Sequence, residues 1–326
     1  MKICVFGAGA VGGHFATQLA AAGHEVSVVA RGAHLEAIRK NGLVLLKGER
    51  RIVGRVRATD RPAALGPVDV VLVTLKANSL GTLAEGVATL LGPETPVVFA
   101  QNGIPWWYAQ GLSPQRRAPP DLAPLDPGGA LARAIPARHV AGGVIYSANE
   151  VVAPGVVRSD APQRNVLILG APDDRPTARL QALAAALEAA DIRAPIETDI
   201  RRSVWAKLRI NLASSSLGVI TGETVRDAMA DPAIAALRDR VQEESRAIAA
   251  AHGVAMEGAP LPPPHVSGGP AHKTSMLQDY ERGRPMEIDA ILMAPLAFAR
   301  AAGVAAPNME AVVALAAHRA RGKGLY

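Results

Sequence analysis

The chain is short of the residues that mark the more specialised protein classes. It holds one cysteine, Cys4, so no disulfide can close within it. Cys4 falls inside the first apolar run, where a small buried hydrophobe is expected rather than a reactive thiol. One cysteine among eight scattered histidines gives no short paired spacing of zinc ligands, so no metal is expected. Aromatic residues are only 3% of the chain, which points to helices packed closely through alanine. Long hydrophobic runs are also missing. Ala290 to Ala299 is about half a membrane span and contains Pro295. The apolar start, Met1 to Ala10, lacks a basic region and is broken by Gly7 and Gly9, so it reads as a strand and the protein is expected to be cytoplasmic. The net charge is +6 without a basic run, Arg116, Arg117, Arg133 and Arg138 forming only a loose group. Nucleic acid is not an expected partner, and the positive balance suits a polyphosphate cofactor and a carboxylate.

A length of 326 residues exceeds one ordinary core and suits two domains, an arrangement that normally leaves a cleft. The first thirty residues read as strand, glycine turn, helix and strand, a βαβ unit: Lys2 to Phe6, Gly7 to Gly13, an Ala-rich segment ending at Gly23, and Glu25 to Val29. Apolar runs at Val68 to Leu75 and Pro96 to Ala100 read as further parallel strands, and Gly42 to Val56 as a hairpin. Prolines between Gly111 and Pro136 predict a long surface loop. His139 to Ser147, Val151 to Arg158 and Asn165 to Gly170 are expected to extend the sheet as antiparallel strands. Helical periodicity then dominates, over Thr177 to Ala190, Ile200 to Leu217, Pro232 to His252, Ile288 to Ala302 and Met309 to Arg321, with Gly253 and Gly303 as terminators. The fold class is α/β: a Rossmann-type dinucleotide-binding domain, residues 1–198, followed by an all-helical second domain, residues 199–326.

Gly7, Gly9 and Gly12 fit G-x-G-x-x-G directly after a strand and before a helix. The first glycine permits the tight turn, the second lets a pyrophosphate approach the backbone, and the third allows close helix–strand packing. The helix N-terminus adds unpaired N–H groups and positive potential for phosphates. At the end of the second strand, where an NAD enzyme places an acid, stand Ala30 and Arg31. An arginine there pairs with the 2′-phosphate of NADP, so NADPH is the expected cofactor, although a solvated surface arginine would look the same.

Three further segments carry polar residues at strand ends or on one helix face. Lys76 and Gln101-Asn102-Gly103 follow apolar runs and would line the cofactor edge of the sheet, or stand in exposed loops. Lys207, Asn211 and Ser215 recur every four residues and share one helix face. A lysine lowered in pKa could protonate a new alkoxide there, and a solvated face is the plainer reading. Ser275 and Glu287 lie in Ser275 to Asp289, where a hydroxyl could take a carboxylate and Glu287 could pair with the lysine or simply satisfy a helix dipole.

On these residues the sequence resembles the ketopantoate reductase family, over most of the chain. The resemblance rests on Gly7-Ala8-Gly9-Ala10-Val11-Gly12, Leu75-Lys76, Gln101-Asn102-Gly103, Lys207 with Asn211, and Thr274 to Asp289. It implies reduction of 2-dehydropantoate to pantoate by NADPH, as in pantothenate biosynthesis, with cofactor and 2-oxo acid meeting between the domains. By position, Lys207 would be the general acid and Glu287 would orient it or a substrate hydroxyl. Asn102 and Asn211 would hold cofactor and substrate, Ser275 the carboxylate, Lys76 the nicotinamide end and Arg31 the 2′-phosphate. Two departures stand out. Ser215 occupies the position of a second asparagine common in the family, associated there with the substrate hydroxyl. The run Ile104-Pro105-Trp106-Trp107-Tyr108 with the Pro-rich loop is longer than usual, and would either cap the cleft or pack against its own domain. Other readings are a reductase of a different branched or aromatic 2-oxo acid, a non-catalytic NADPH sensor, and a 3-hydroxy acid dehydrogenase. The apolar terminal helices fit a core or a partner, which leaves a homodimer open.

Overall fold

The computed structural model of the chain describes residues 1–161, 164–259 and 273–326. Its backbone packs as two compact units, residues 1–101 with 128–200, and residues 102–127 with 201–326. The second unit therefore contains a stretch, 102–127, that the sequence pattern places in the first domain.

The first unit carries strands β1 (Lys2–Phe6), β2 (Glu25–Val29), β3 (Leu43–Lys47), β4 (Arg50–Gly54), β5 (Arg57–Thr59), β6 (Val70–Val73), β7 (Val97–Phe99), β8 (Val140–Tyr146), β9 (Asn149–Ala153), β10 (Val156–Ser159) and β11 (Val166–Gly170). Its helices are α1 (Ala10–Ala21), α2 (Gly32–Asn41), α3 (Ala84–Ala88), α4 (Ala130–Ala134) and α5 (Ala178–Ala189). Among the described residues, seven strands form one sheet in the order β11-β8-β7-β6-β1-β2-β5, parallel except for β11. The order reverses at β1, between β2 and β6, which is where open α/β sheets bind ligands beyond the carboxyl ends of their strands. The strands read as near-continuous Val, Ile and Leu because both faces are covered: Ile3, Val5, Val28, Val70 and Leu72 are all buried. Cys4 lies in this core, where burial pushes its thiol up to about 12 and keeps it protonated.

The remaining strands make a smaller sheet, β4-β3-β10-β9, packed on α1. The contact is tight: a Cβ on Gly13 would lie 2.7 Å from Val157, and one on Gly54 would lie 2.8 Å from the Thr17 backbone. The expected hairpin at 42–56 is present as β3 and β4. Two strand expectations need correction. The segment at 139–147 pairs parallel to β7, because the chain between them crosses over rather than turning back. The run expected as one strand at 151–158 folds at Pro154-Gly155 into the tail of β9 and β10, and both join the small sheet, β10 lying parallel to β3. The 111–136 loop is partly ordered by short helical turns and by α4, with Leu125, Leu131 and Ile135 buried.

The second unit is helical: α6 (Ile200–Thr221), α7 (Val225–Ala230), α8 (Pro232–Ala251), α9 (Ser275–Glu281), a π turn at Asp289–Met293, α10 (Ala294–Ala302) and α11 (Pro307–Gly322). The ends follow local chemistry. Thr224, Asp231 and Thr274 cap α7, α8 and α9 by accepting from Asp227, Ala233 and Leu277 N–H groups, and Pro232 starts α8. Gly253 and Gly303 follow α8 and α10 with φ of 74° and 67°. Trp106, Trp107 and Tyr108, left open in the sequence between a cleft cap and packing against their own domain, have partners shown at Tyr108. They are buried, and Tyr108 accepts a hydrogen bond from Trp205 Nε1 at 2.8 Å and meets the Phe298 ring edge-to-face at 5.0 Å. The buried Arg201 donates to the Tyr108 carbonyl from Nε and Nη2, at 3.0 and 2.9 Å. Tyr108 thus anchors the 102–127 stretch in its unit through its hydroxyl, ring and carbonyl. Among the described residues no helix is long and apolar enough to cross a membrane.

Candidate active site

In the first unit, the Gly7 to Gly12 turn joins β1 to α1 at the carboxyl edge of the sheet. The three glycines have separate physical causes. Gly7 has φ of 105°, and its N–H donates to Val29 O at 3.1 Å. A Cβ on Gly12 would lie 1.9 Å from Gly7 O and 2.4 Å from Thr74 Oγ1, so helix and strand meet only because this residue has no side chain. Around Gly9 nothing lies within 4 Å of a built Cβ, so a methyl there would enter open space at the N-terminus of α1, the position a phosphate needs. Ala8 is buried, while Ala10 and Val11 are half-buried at the start of the helix.

Two residues with no sequence signal of their own brace this turn. Thr74 Oγ1 donates to Gly7 O at 2.6 Å, and His34 bonds the Ala8 carbonyl through Nε2 at 2.6 Å while Nδ1 accepts from Gly155 N–H at 2.9 Å. That pairing requires the Nε2–H form of His34. Arg31 stands exposed just after β2, next to the buried Ala30, with no acid at the strand end. Lys76 follows β6 at the start of a helical turn and is half-buried. Gln101, expected to line this edge, is held in it: its Nε2 donates to the carbonyls of Val73 and Leu75 at 2.9 and 3.1 Å.

In the second unit, α6 presents Lys207, Asn211 and Ser215 in one row. Lys207 is half-buried and its Nζ donates to Asn102 Oδ1 at 2.5 Å. Desolvation lowers the amine from 10.5 to about 8, against the charge of Glu287, which works to raise it. Glu287 is buried. Asn102 is brought to the lysine by Gly103, whose φ is 85° and whose missing Cβ would lie 2.4 Å from the Ala290 carbonyl carbon and oxygen. Ile104 N–H donates to Ala290 O at 2.8 Å. Asn102 and Glu287, 105 and 80 positions from Lys207 in sequence, are thus brought to one amine. Ser215 is buried with no hydrogen-bond partner for its hydroxyl, and Ser275 is exposed at the first position of α9. The start of α9 abuts α6 one turn beyond Ser215, with Thr274 Oγ1 3.1 Å from a Cβ built on Gly218.

The fold and these two constellations define a dinucleotide-binding oxidoreductase architecture, with a glycine turn on a Rossmann-type sheet and a perturbed lysine in a helical unit. The sequence matches the model described as ketopantoate reductase PanE/ApbA over residues 3–114 and that of the ketopantoate reductase C terminus over residues 199–320. It is 41% identical to the 2-dehydropantoate 2-reductase of Mesorhizobium japonicum, over 100% of both chains. A crystal structure of a candidate ketopantoate reductase from Ralstonia solanacearum MolK2 matches with a TM-score of 0.86 and 37% identity, over 100% of this chain and 99% of that one. A PanE/ApbA family ketopantoate reductase from Ralstonia eutropha JMP134 matches with a TM-score of 0.80 and 28% identity, over 99% of both. The chain belongs to the ketopantoate reductase family.

Proposed function

We propose that the protein reduces 2-dehydropantoate to pantoate with NADPH, using Lys207 as general acid. The observation that carries this reading is the Lys207 amine, hydrogen-bonded to Asn102, beside Glu287, with a pKa lowered to about 8. The first unit fits the cofactor: Gly9 leaves the space that a side chain would fill above the α1 N-terminus, and Arg31 stands at the β2 end. When bound, NADPH supplies a hydride to the ketone carbon.

The matching proton must reach the ketone oxygen from an acid whose pKa lies near working pH. Lys207 meets that condition, being mostly protonated at neutral pH yet ready to release. Asn102 fixes the direction of its amine, and Glu287 keeps it charged against the cost of burial. We assign Asn211 to orienting the substrate, Ser275 to its carboxylate, and Lys76 and Arg31 to the nicotinamide end and the 2′-phosphate. Asn102 and Glu287 also border the cofactor in this reading. Ser215 supports a second reading, since its short, unpartnered hydroxyl replaces an amide and suits a different branched or aromatic 2-oxo acid.

Following NADPH absorbance with ketopantoate beside linear, branched and aromatic 2-oxo acids separates the two. We expect ketopantoate to be preferred, with kcat/KM falling as pH rises through about 8 because the protonated amine is the active form. A preference for another 2-oxo acid would transfer the assignment to it. NADPH binding with no turnover of any acid would remove Lys207 from chemistry.

A further inference from the structure

The segment after α11 returns to the residues that flank Glu287. Met286 N–H donates to Leu325 O at 3.1 Å, and the Tyr326 hydroxyl donates to Asp289 Oδ1 at 2.7 Å. These bonds fall on either side of Glu287 in the chain. Leu325 is buried, and Lys323 is anchored over the Tyr280 ring of α9, its Nζ 4.0 Å from the centroid. Burial and the bond to Asp289 push the Tyr326 phenol up to about 12, so it stays a donor.

The segment held in this way reaches Lys207 by two routes. Glu287 acts on the amine through its charge. The π turn that Asp289 opens offers Ala290 O to Ile104 N–H at 2.8 Å and approaches Gly103 so closely that a Cβ there would lie 2.4 Å from the Ala290 carbonyl, which sets the adjacent Asn102 against Lys207 Nζ. π turns carry a local energetic cost and are found disproportionately at functional sites. A turn of this kind keeps its shape only when its surroundings hold it.

We propose that Leu325 and Tyr326 are positioning residues for the proton donor, acting on Lys207 through the 286–293 segment that they clasp. The proposal rests on the reading of Lys207 as the acid. Tyr326→Phe removes the hydroxyl alone. Asp289→Ala removes its acceptor, and Asp289→Asn keeps an oxygen that accepts from it.

The test measures the titration of Lys207 directly, by competitive acetic anhydride labelling of the intact protein across a pH series, read at Lys207 by mass spectrometry. The unaltered protein should titrate near 8. In Tyr326→Phe and Asp289→Ala the hold on Glu287 and Asn102 slackens. Glu287 then supports the ammonium less, and the midpoint should fall by roughly half a unit or more. Asp289→Asn should restore it. The same two variants should lose roughly 3- to 10-fold in kcat with ketopantoate, with KM for NADPH unchanged. A double variant should be no worse than either single one, because both remove the same bond. An unmoved Lys207 midpoint in Tyr326→Phe would overturn the proposal, and so would a lowered melting temperature without that shift, which would make the clasp purely structural. The labelling needs no substrate, so an unaltered protein that fails to reduce ketopantoate would count against the proposed function and leave the midpoint to decide the clasp.

Discussion

The glycine turn and the Lys207 group are built on opposite logics. The turn is a site made by absence: at Gly9 a side chain would fill open space, and at Gly12 it would collide with backbone 1.9 Å away. Its parts are contiguous in sequence, so a short motif states the whole of it. The lysine group is made by presence. It draws Asn102, Lys207 and Glu287 from three distant segments, and each alone has an ordinary explanation as a loop amide, a solvated helix face or a helix-start acid. A backbone site is therefore legible locally, while a side-chain site becomes legible only through packing.

The sharpest break between the two is Lys207→Ala. Turnover should fall by about 100-fold or more with NADPH affinity nearly intact, measured by steady-state kinetics and fluorescence titration. Loss of both together would show that the two sites are not separable. Next comes the pair Gly12→Ala and Gly9→Ala. The first should cost about 2–3 kcal/mol of stability through the collision with Gly7 O, while the second should leave urea unfolding unchanged and weaken NADPH about tenfold. Equal stabilities for the two variants would contradict the geometry.

A third test sets Lys207 beside a second base shifted by desolvation, His14 on α1. His14 is fully buried with no hydrogen-bond partner on either ring nitrogen, and burial first, then the charge of Lys47, lowers it from 6.5 to about 4. Because the folded value lies below the unfolded one, the unfolded chain takes the proton first. Stability should be full above 6.5 and decline as pH falls toward 4, by about 2 kcal/mol at about pH 5, and His14→Leu should flatten that slope in urea titrations. The smallest effect is expected at the surface: Arg31→Ala should reduce the preference for NADPH over NADH about tenfold without altering melting temperature. An unchanged preference would reduce Arg31 to a solvated side chain.

The first parallel strands, the hairpin at 42–56 and the long helices were legible because each is fixed by local periodicity and by Gly or Pro at its ends, while the order of strands in the sheet was not. The departures all involve partners distant in sequence. Whether 140–146 runs parallel or antiparallel depends on how the chain from β7 returns, and β10 prefers β3, more than a hundred residues earlier, to the larger sheet. Trp106 to Tyr108 read equally as lid or core in the sequence, and the partners that tie Tyr108 down, Trp205, Phe298 and Arg201, lie far along the chain. Thr74, His34 and Tyr326 had no pattern to reveal them, since each matters through one hydrogen bond to a remote residue.

The allocation of 102–127 to the helical unit has an engineering consequence. A segment beginning at 201 would be born without Asn102, without the Gly103 turn, and without the Tyr108 carbonyl that occupies the guanidinium of Arg201. The unit is discontinuous, so it cannot be transplanted onto another nucleotide-binding scaffold by a single splice. Any functional chimera must carry both pieces, and recombination between relatives will be productive when its crossovers fall near 101, 127 and 200 together.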